Sequence, residues 1–231
     1  MIARREIRMT PEEEIAVLKA QVAELTRRAG ILEDIHAIRT LHFKYGYYMD
    51  KWLFPEIVDL FAEDGEMHFL NGIFKGRAGI KRMFGDGFGI SGPTYGVLTD
   101  HLQVQDIVDV APDRLTAKGR FRVFLMGGIH ESRKEPTGIP GQFWEGGVYE
   151  NLYVRENGIW KIKRMNYNVA WQAEYEKGWG HSAVKLLMVS AFTKTFPEDP
   201  RGPDELKKEP FRFWPESYLV PFHYPHPVTG K

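Results

Sequence analysis

Apolar residues at helical spacing open the chain. From Thr10 to Arg28 they recur at steps of three and four, and Thr10 and Pro11 supply an N-cap and a first-turn proline. A second helix is predicted at 32–50, after Gly30, and a short third one at 55–62. The first stripe is narrow, which favours packing on a neighbouring subunit over a free coiled coil. Its members are Ile15, Leu18, Val22 and Leu25.

Further along, the period of the pattern changes to two. Asn71-Gly72 predicts a hairpin, residues 77–84 suit a short helix, and a glycine-rich loop follows at 85–96. The remaining pattern predicts strands at 101–110, 114–126, 144–155 and 159–170, then a helix at 171–195. Helices first and strands last indicate an α+β fold with an antiparallel sheet. The tail after Phe196 is rich in proline and aromatic residues, which predicts an irregular segment that wraps across a surface.

Composition narrows the possible functions. Lysine plus arginine and aspartate plus glutamate both total 31, so we expect no nucleic-acid partner and no binding to a membrane surface. The N-terminus is too charged for a secretion signal and no stretch could span a bilayer, so we expect a cytoplasmic protein. The chain has no cysteine and its eight histidines are scattered, so we expect no metal site.

Two segments carry candidate proton-transfer groups. Tyr45, Tyr48 and Asp50 lie near the end of the second predicted helix. Tyr45 and Asp50 are about 140° apart on an ideal helix, so a core tyrosine and a helix-end aspartate remain the alternative. His101 begins a strand beside the glycine-rich loop, and an imidazole pKa of about 6.5 suits proton transfer near neutral pH, although most lone histidines are not catalytic.

The later strands supply candidate pocket residues. Counting by two places Glu145, Tyr149 and Asn151 on one face, and such repeated polar positions are usually the solvated side of a sheet. Glu145 is the exception, because it lies among rings and glycines where burial would raise its pKa. The residues expected to contact a substrate are Trp52, Phe88, Arg122, Trp144, Tyr149, Asn168 and Trp171.

Six segments follow one another in a recognisable order between residues 35 and 171. They are a helix ending at Tyr45 and Asp50, LFAEDG at 60–65, GRAGI at 76–80, TDH at 99–101, GVYEN at 147–151 and NGIWKI at 157–162. This ordered set resembles the SnoaL-like branch of the nuclear transport factor two superfamily. The resemblance implies a cone-like fold in which a curved antiparallel sheet wraps around an N-terminal helical layer. We expect an N-terminal helical extension at 1–30, the SnoaL-like domain at 31–195 and the tail at 196–231.

Relatives with this layout include scytalone dehydratase and bile-acid dehydratase, which use tyrosine, aspartate and histidine inside the cone and need no cofactor. The resemblance therefore implies catalytic roles for Tyr45, Asp50 and His101 and no cofactor here. The chain departs from the pattern at Gly147, where the family often has an arginine. The second active-site histidine of scytalone dehydratase has no clear match.

The length, the two extensions and the many rings also resemble the sphingomonad diarylpropane γ-formaldehyde lyases. This resemblance implies a small aromatic substrate, a lignin-derived diol that loses water and formaldehyde through a quinone methide to give a stilbene. His101, oriented by Asp50, would be the main proton-transfer group, Tyr45 or Tyr48 would hold an oxygen, and Glu145 would be a second acid or base. The alternatives are a simple dehydratase, an isomerase or an epoxide hydrolase on another hydrophobic ring, or a ligand-binding module without activity.

We also expect a homodimer or homotrimer. The apolar stripe and the aromatic tail would otherwise expose more apolar surface than a soluble monomer normally shows.

Overall fold

Helices precede strands in the computed structural model, which describes residues 9–86, 91–135, 141–181, 190–209 and 211–231. The helices are α1 (Pro11–Asp50), α2 (Phe54–Val58) and α3 (Gly76–Lys81), and α3 continues into a π-helical turn at Arg82–Asp86. The strands are β1 (Phe61–Phe69), β2 (Gly72–Lys75), β3 (Val97–Val110), β4 (Thr116–Ile129), β5 (Gln142–Glu156), β6 (Ile159–Glu174) and β7 (Glu205–Leu206). A single turn of 3₁₀-helix lies at Trp179–His181.

One continuous helix of 40 residues replaces the two helices predicted at 10–28 and 32–50. Thr10 and Glu13 form a capping box at its start. Gly30 does not end the helix, because its missing side chain makes room for Arg114. The Arg114 guanidinium donates to the Gly30 carbonyl oxygen at 3.0 Å and to Asp34 Oδ2 at 2.5 Å. Residues 11–29 are exposed, and the helix begins to bury one face at Gly30.

The strands in the described part of the chain form one sheet in the order β3-β4-β5-β6-β1-β2-β7. β3 to β6 are an antiparallel meander, β1 pairs with β6 in parallel, and β2 and β7 extend the sheet in antiparallel fashion. The inner face of the sheet packs against α1, mainly through β3, and encloses the apolar core. This architecture confirms the expected α+β fold with a curved, antiparallel-rich sheet around a helical layer.

The four long strands are confirmed, and each extends beyond at least one of its predicted ends, although β4 begins at Thr116, two residues later than predicted. The helix predicted at 55–62 is shorter, since α2 ends at Val58 and β1 begins at Phe61. The helix predicted at 171–195 is wrong where the structure tests it, because residues 171–174 complete β6 and residues 190–195 are not helical. Residues 182–189 lie outside the described part.

The C-terminal tail lies on the outer face of the sheet, opposite α1. β7 pairs with β2, and Arg120 donates to the carbonyl oxygens of Val220 and Pro221, each at 3.1 Å. The rest of the described tail has no regular structure, as predicted. In the described residues, no helix combines the length and the apolar character needed to cross a membrane.

Candidate active site

A row of paired positions brings polar groups to the inner face of the sheet. His101 on β3 is opposite Leu125 on β4, Leu125 is opposite Glu145 on β5, and Glu145 is opposite Gln172 on β6. Side chains at directly opposite positions of antiparallel strands project to the same face. All four residues are buried and line one cavity next to the C-terminal end of α1.

The volume of this cavity is about 50 Å³. A cavity that binds benzene measures about 150 Å³, so the wall must move before an aromatic ring can enter. Methionine is unbranched and adapts its shape easily, which makes such movement inexpensive in energy. The apolar wall consists of Tyr45, Met49, Trp52, Met67, Phe69, Met83, Phe84, Leu125, Tyr149 and Tyr167.

His101 is held as a neutral imidazole. Its Nε2 lies 3.1 Å from the hydroxyl oxygen of Tyr149, which lies 3.2 Å from the hydroxyl oxygen of Tyr45. Burial lowers the pKa of His101 to about 3. Its Nδ1 is buried and has no hydrogen-bond partner in the described part of the protein. With the proton on Nε2, Nδ1 becomes a bare acceptor that could take a proton from a bound molecule.

Glu145 supplies a second titratable group in the same cavity. Burial raises the pKa of its carboxyl group, although the Tyr167 hydroxyl and the Gln172 amide both donate to it and oppose the shift. The ring of Tyr167 stacks on that of Tyr149 with centroids 4.4 Å apart. The two proton-transfer groups therefore share one aromatic wall, and the raised pKa favours Glu145 in its protonated form.

Asp50 contacts the main chain of His101. Its Oδ1 accepts from the His101 backbone N–H at 2.5 Å. Burial raises the pKa of the Asp50 carboxyl group, and this hydrogen bond opposes the shift. A Cβ at Gly46 would lie 3.0 Å from the His101 carbonyl oxygen, so glycine lets α1 and β3 approach closely here. Asp50 thus fixes the position of β3, whereas it was expected to orient the imidazole ring.

The predicted site residues are divided between the two faces of the sheet. Of the predicted set, Tyr45, Trp52, His101, Glu145 and Tyr149 line the cavity. Tyr48, predicted to hold a substrate oxygen, is half-buried against the core and does not line the cavity.

The other predicted substrate contacts point away from the cavity. Trp144 precedes Glu145 on the same strand, and adjacent strand residues point to opposite faces. Trp144 and Trp171 instead flank Phe124 on the outer face, with ring centroids 5.3 and 6.1 Å from it. This corrects their expected place in the cavity wall, and the same correction applies to Arg122 and Asn168. Phe88 lies outside the described residues.

A second buried histidine, His42 on α1, was not among the predicted residues. Its Nε2 lies 2.9 Å from Gln103 Oε1 and its Nδ1 lies 3.2 Å from the Tyr153 hydroxyl. Burial lowers its pKa to about 3. The ring stacks on Phe121 and meets the edge of Tyr149, so it supports the cavity wall from behind. The signal in the sequence is its helical spacing, four residues after the buried Ile38.

No group of three histidine, aspartate or glutamate side chains that could hold a metal ion occurs in the described residues.

The SnoaL-like domain family matches residues 30–166. The chain belongs to this family. No curated protein matches it.

Solved structures with a similar fold are known. LinA is 18% identical with a TM-score of 0.51, and the match covers 64% of this chain and 93% of that one. A putative scytalone dehydratase from Novosphingobium aromaticivorans DSM 12444 is 24% identical with a TM-score of 0.48, covering 62% and 89%. The hexachlorocyclohexane dehydrochlorinase LinA-type3 from Novosphingobium barchaimii LL02 is 17% identical with a TM-score of 0.49, covering 62% and 90%. At these identities the likeness concerns the fold alone.

Proposed function

We propose that this SnoaL-like protein is a cofactor-independent lyase that carries out an elimination on a phenolic aromatic small molecule. The observation that carries the proposal is the state of His101. A neutral imidazole lines an aromatic cavity, one ring nitrogen is held by Tyr149, and the other is buried without a partner among the residues that the structure describes. This nitrogen is unprotonated at neutral pH and can accept a hydrogen bond from a substrate hydroxyl. Because burial lowers the pKa of His101 to about 3, proton transfer to it requires that negative charge on the substrate stabilise the imidazolium.

The substrate we propose is a diarylpropane diol of the kind derived from lignin. In the first step the phenol loses its proton while the benzylic carbon–oxygen bond breaks, and the leaving hydroxyl takes up a proton to depart as water. The leaving hydroxyl takes the electron pair of the broken bond, and the product is an electron-poor quinone methide that can accept an electron pair in the next step. No oxidant or metal ion is needed to balance this step.

In the second step a base removes the proton of the terminal hydroxyl. The carbon–carbon bond breaks, formaldehyde leaves, and the electron pair returns the quinone methide to a phenolate that is then protonated. The products are one stilbene, one water and one formaldehyde. His101 would take the phenol proton in the first step and return it to the phenolate at the end. Glu145, with its raised pKa, would protonate the leaving hydroxyl, and its carboxylate would then remove the proton of the terminal hydroxyl, so that both groups return to their starting state. Tyr45 and Tyr149 would hold the imidazole and an oxygen of the substrate.

The size of the cavity sets a condition on this proposal. Two aromatic rings exceed its volume of about 50 Å³ several-fold, so side chains in the wall must change rotamer on binding. Met49, Met67 and Met83 are the best candidates, because their thioether chains have many rotamers. Met83 also lies in the π-helical turn, an element that often occurs at functional sites.

The test is to incubate the protein with a diguaiacyl propanediol and to follow formaldehyde with a trapping reagent and stilbene by its ultraviolet absorbance. His101→Gln should lower the turnover number by about 100-fold or more. His130→Gln is the matched control, because His130 is exposed at the end of β4 and should keep wild-type activity. Glu145→Gln should also lower turnover, since an amide cannot supply the proton.

The results separate the possible reactions. Formaldehyde and stilbene in equal amounts support the complete proposal. A change in absorbance without formaldehyde would leave an elimination and refute the loss of formaldehyde. A well-folded His101→Gln variant with more than about half of wild-type turnover would remove His101 from the chemistry.

A further inference from the structure

A second concave site lies on the outer face of the sheet, on the side opposite the cavity. It is an open cleft of about 850 Å³. On β1, Met67 and Phe69 line the cavity, whereas His68 between them lines the cleft. On β6, Tyr167 lines the cavity and its neighbour Asn166 lines the cleft. This alternation means that the sheet itself separates the two sites. The volume lies within the range of about 300 to 1,000 Å³ that is typical of small-molecule sites.

The tail segment that forms the opposite wall of the cleft is anchored to the sheet. Arg120 holds the main chain of Val220 and Pro221, and it forms an ion pair with Glu150 at 2.6 Å. His223 follows directly and is hydrogen-bonded to Glu150. The wall is therefore fixed by several polar contacts, and Glu150, which borders the cleft, already forms an ion pair with Arg120.

The cleft contains a cation without a carboxylate partner. Lys207 is half-buried and forms no ion pair with any residue in the described part of the chain. Its Nζ lies 3.4 Å from Asn166 Oδ1, a neutral group. Burial lowers the pKa of Lys207, and the positive charge of Arg164 acts in the same direction, whereas Glu209 opposes it from an exposed position. A half-buried ammonium of this kind is stabilised by an anion that enters the cleft.

The remaining lining is largely apolar. Leu70 is buried in the floor, Phe211 is half-buried, and Leu219 is exposed in the tail wall. Arg212 also lines the cleft, but its guanidinium is already 3.8 Å from Glu216. Glu209 lines the cleft as well, at an exposed position. The half-buried ammonium of Lys207 next to these apolar side chains suits a ligand with one negative group and an apolar body. A phosphate group normally needs more donors than Lys207 provides.

We propose that this cleft is a second ligand site, which binds an organic carboxylate with its carboxylate on Lys207 and its apolar body against Phe211 and Leu219. The site is independent of the proposed catalytic cavity, because the two lie on opposite faces of the sheet. It concerns residues of the tail that the SnoaL-like match at 30–166 does not include.

Isothermal titration calorimetry with 2-naphthoate as the probe tests the proposal. The neutral analogue 2-naphthamide has nearly the same shape and should bind at least about 10-fold more weakly to the wild-type protein. Lys207→Met should weaken 2-naphthoate binding by a similar factor, and Lys207→Arg should restore most of it. Lys118→Met, at an exposed position of β4, is the matched control and should bind as the wild type does.

His101→Gln should leave the affinity for 2-naphthoate unchanged. If this variant abolished binding while Lys207→Met did not, the ligand would belong in the cavity and the proposal would be wrong. Equal binding of the acid and the amide by the wild type would also overturn it, whatever the behaviour of the variants. The proposal would also be wrong if inorganic phosphate bound as tightly as 2-naphthoate. It would be wrong, too, if no heat of binding were detected up to the solubility limit of the probe. None of these results depends on whether the protein is a lyase.

Discussion

Replacement of Tyr149 by phenylalanine tests the hydroxyl chain behind the cavity. The Tyr149 hydroxyl links His101 Nε2 to the Tyr45 hydroxyl, and all three residues are buried, with at most 5% of any side chain exposed. Tyr149→Phe removes one hydroxyl and leaves two buried polar groups without that partner. A buried polar group that loses its hydrogen bond costs about 1–3 kcal/mol. Phenylalanine recovers part of this because it is less costly to bury, so we expect the free energy of unfolding to fall by about 2–4 kcal/mol.

A double variant makes the reasoning sharper. In Tyr45→Phe/Tyr149→Phe His101 Nε2 is the one remaining group of the hydroxyl chain that has lost its partner, so the loss of stability should be smaller than the sum of the two single losses by about 1 kcal/mol or more. Urea denaturation followed by circular dichroism at one fixed protein concentration measures all four proteins. Tyr95→Phe is the matched control, because the Tyr95 hydroxyl contacts Ser132 on the surface, and should change stability by less than about 0.5 kcal/mol.

Two results would refute this account. If Tyr149→Phe were as stable as the wild type, the hydroxyl chain would contribute nothing to the fold. If the losses in the double variant were additive, the two hydroxyl groups would not depend on each other.

Three further predictions concern proton linkage, Asp50 and assembly. Burial lowers the pKa of His101 to about 3 in the folded protein. The unfolded chain therefore binds a proton at this histidine near pH 6.5, whereas the folded protein does not. Stability is lost as the pH falls through this range. Compared with His101→Gln, the wild type should lose about 2 kcal/mol more between pH 6.5 and 5 in urea denaturation, and parallel curves would contradict the assignment. Asp50→Asn should keep most activity and stability, since an amide oxygen can still accept a hydrogen bond from the His101 N–H. Asp50→Ala should lower the melting temperature. If Asp50→Ala melted at the same temperature as the wild type, Asp50 would not hold β3 in place. Light scattering should give a mass above 26.7 kDa for the wild type and a smaller mass for Leu18→Glu/Val22→Glu, and a wild-type monomer at micromolar concentration would rule out assembly.

The strands could be predicted because their residues alternate between two environments. Alternation also decides which strand residues share a face, and it places Glu145 and Tyr149 together without any structure. Trp144 was predicted to line the pocket because of its residue type and its position next to Glu145. The same alternation, however, places adjacent strand residues on opposite faces of the sheet. The prediction that Trp171 lines the pocket is wrong for a different reason. A helix was predicted at 171–195, so residues 171–174 were not recognised as the end of β6, and Gln172 was not recognised as a cavity residue.

Long-range contacts account for what the sequence could not reveal. Gly30 has the properties of a helix end, and only the approach of Arg114, which lies 84 residues further along the chain, explains its place inside α1. The hydroxyl pair of Tyr45 and Tyr149 joins residues 104 positions apart. The partner of Asp50 is a backbone group, and no pattern of side chains can predict that contact.

The unbroken path of α1 through Gly30 has a consequence for whatever the N-terminus carries. Residues 11–29 are exposed on every side and, at 1.5 Å per residue, extend about 28 Å from the domain. A glycine-rich linker of equal length would let an attached group sample many directions. A helix continuous with the buried part of α1 instead acts as a rigid spacer, which holds a fused domain or a spectroscopic label near Thr10 at one distance and one orientation relative to the sheet.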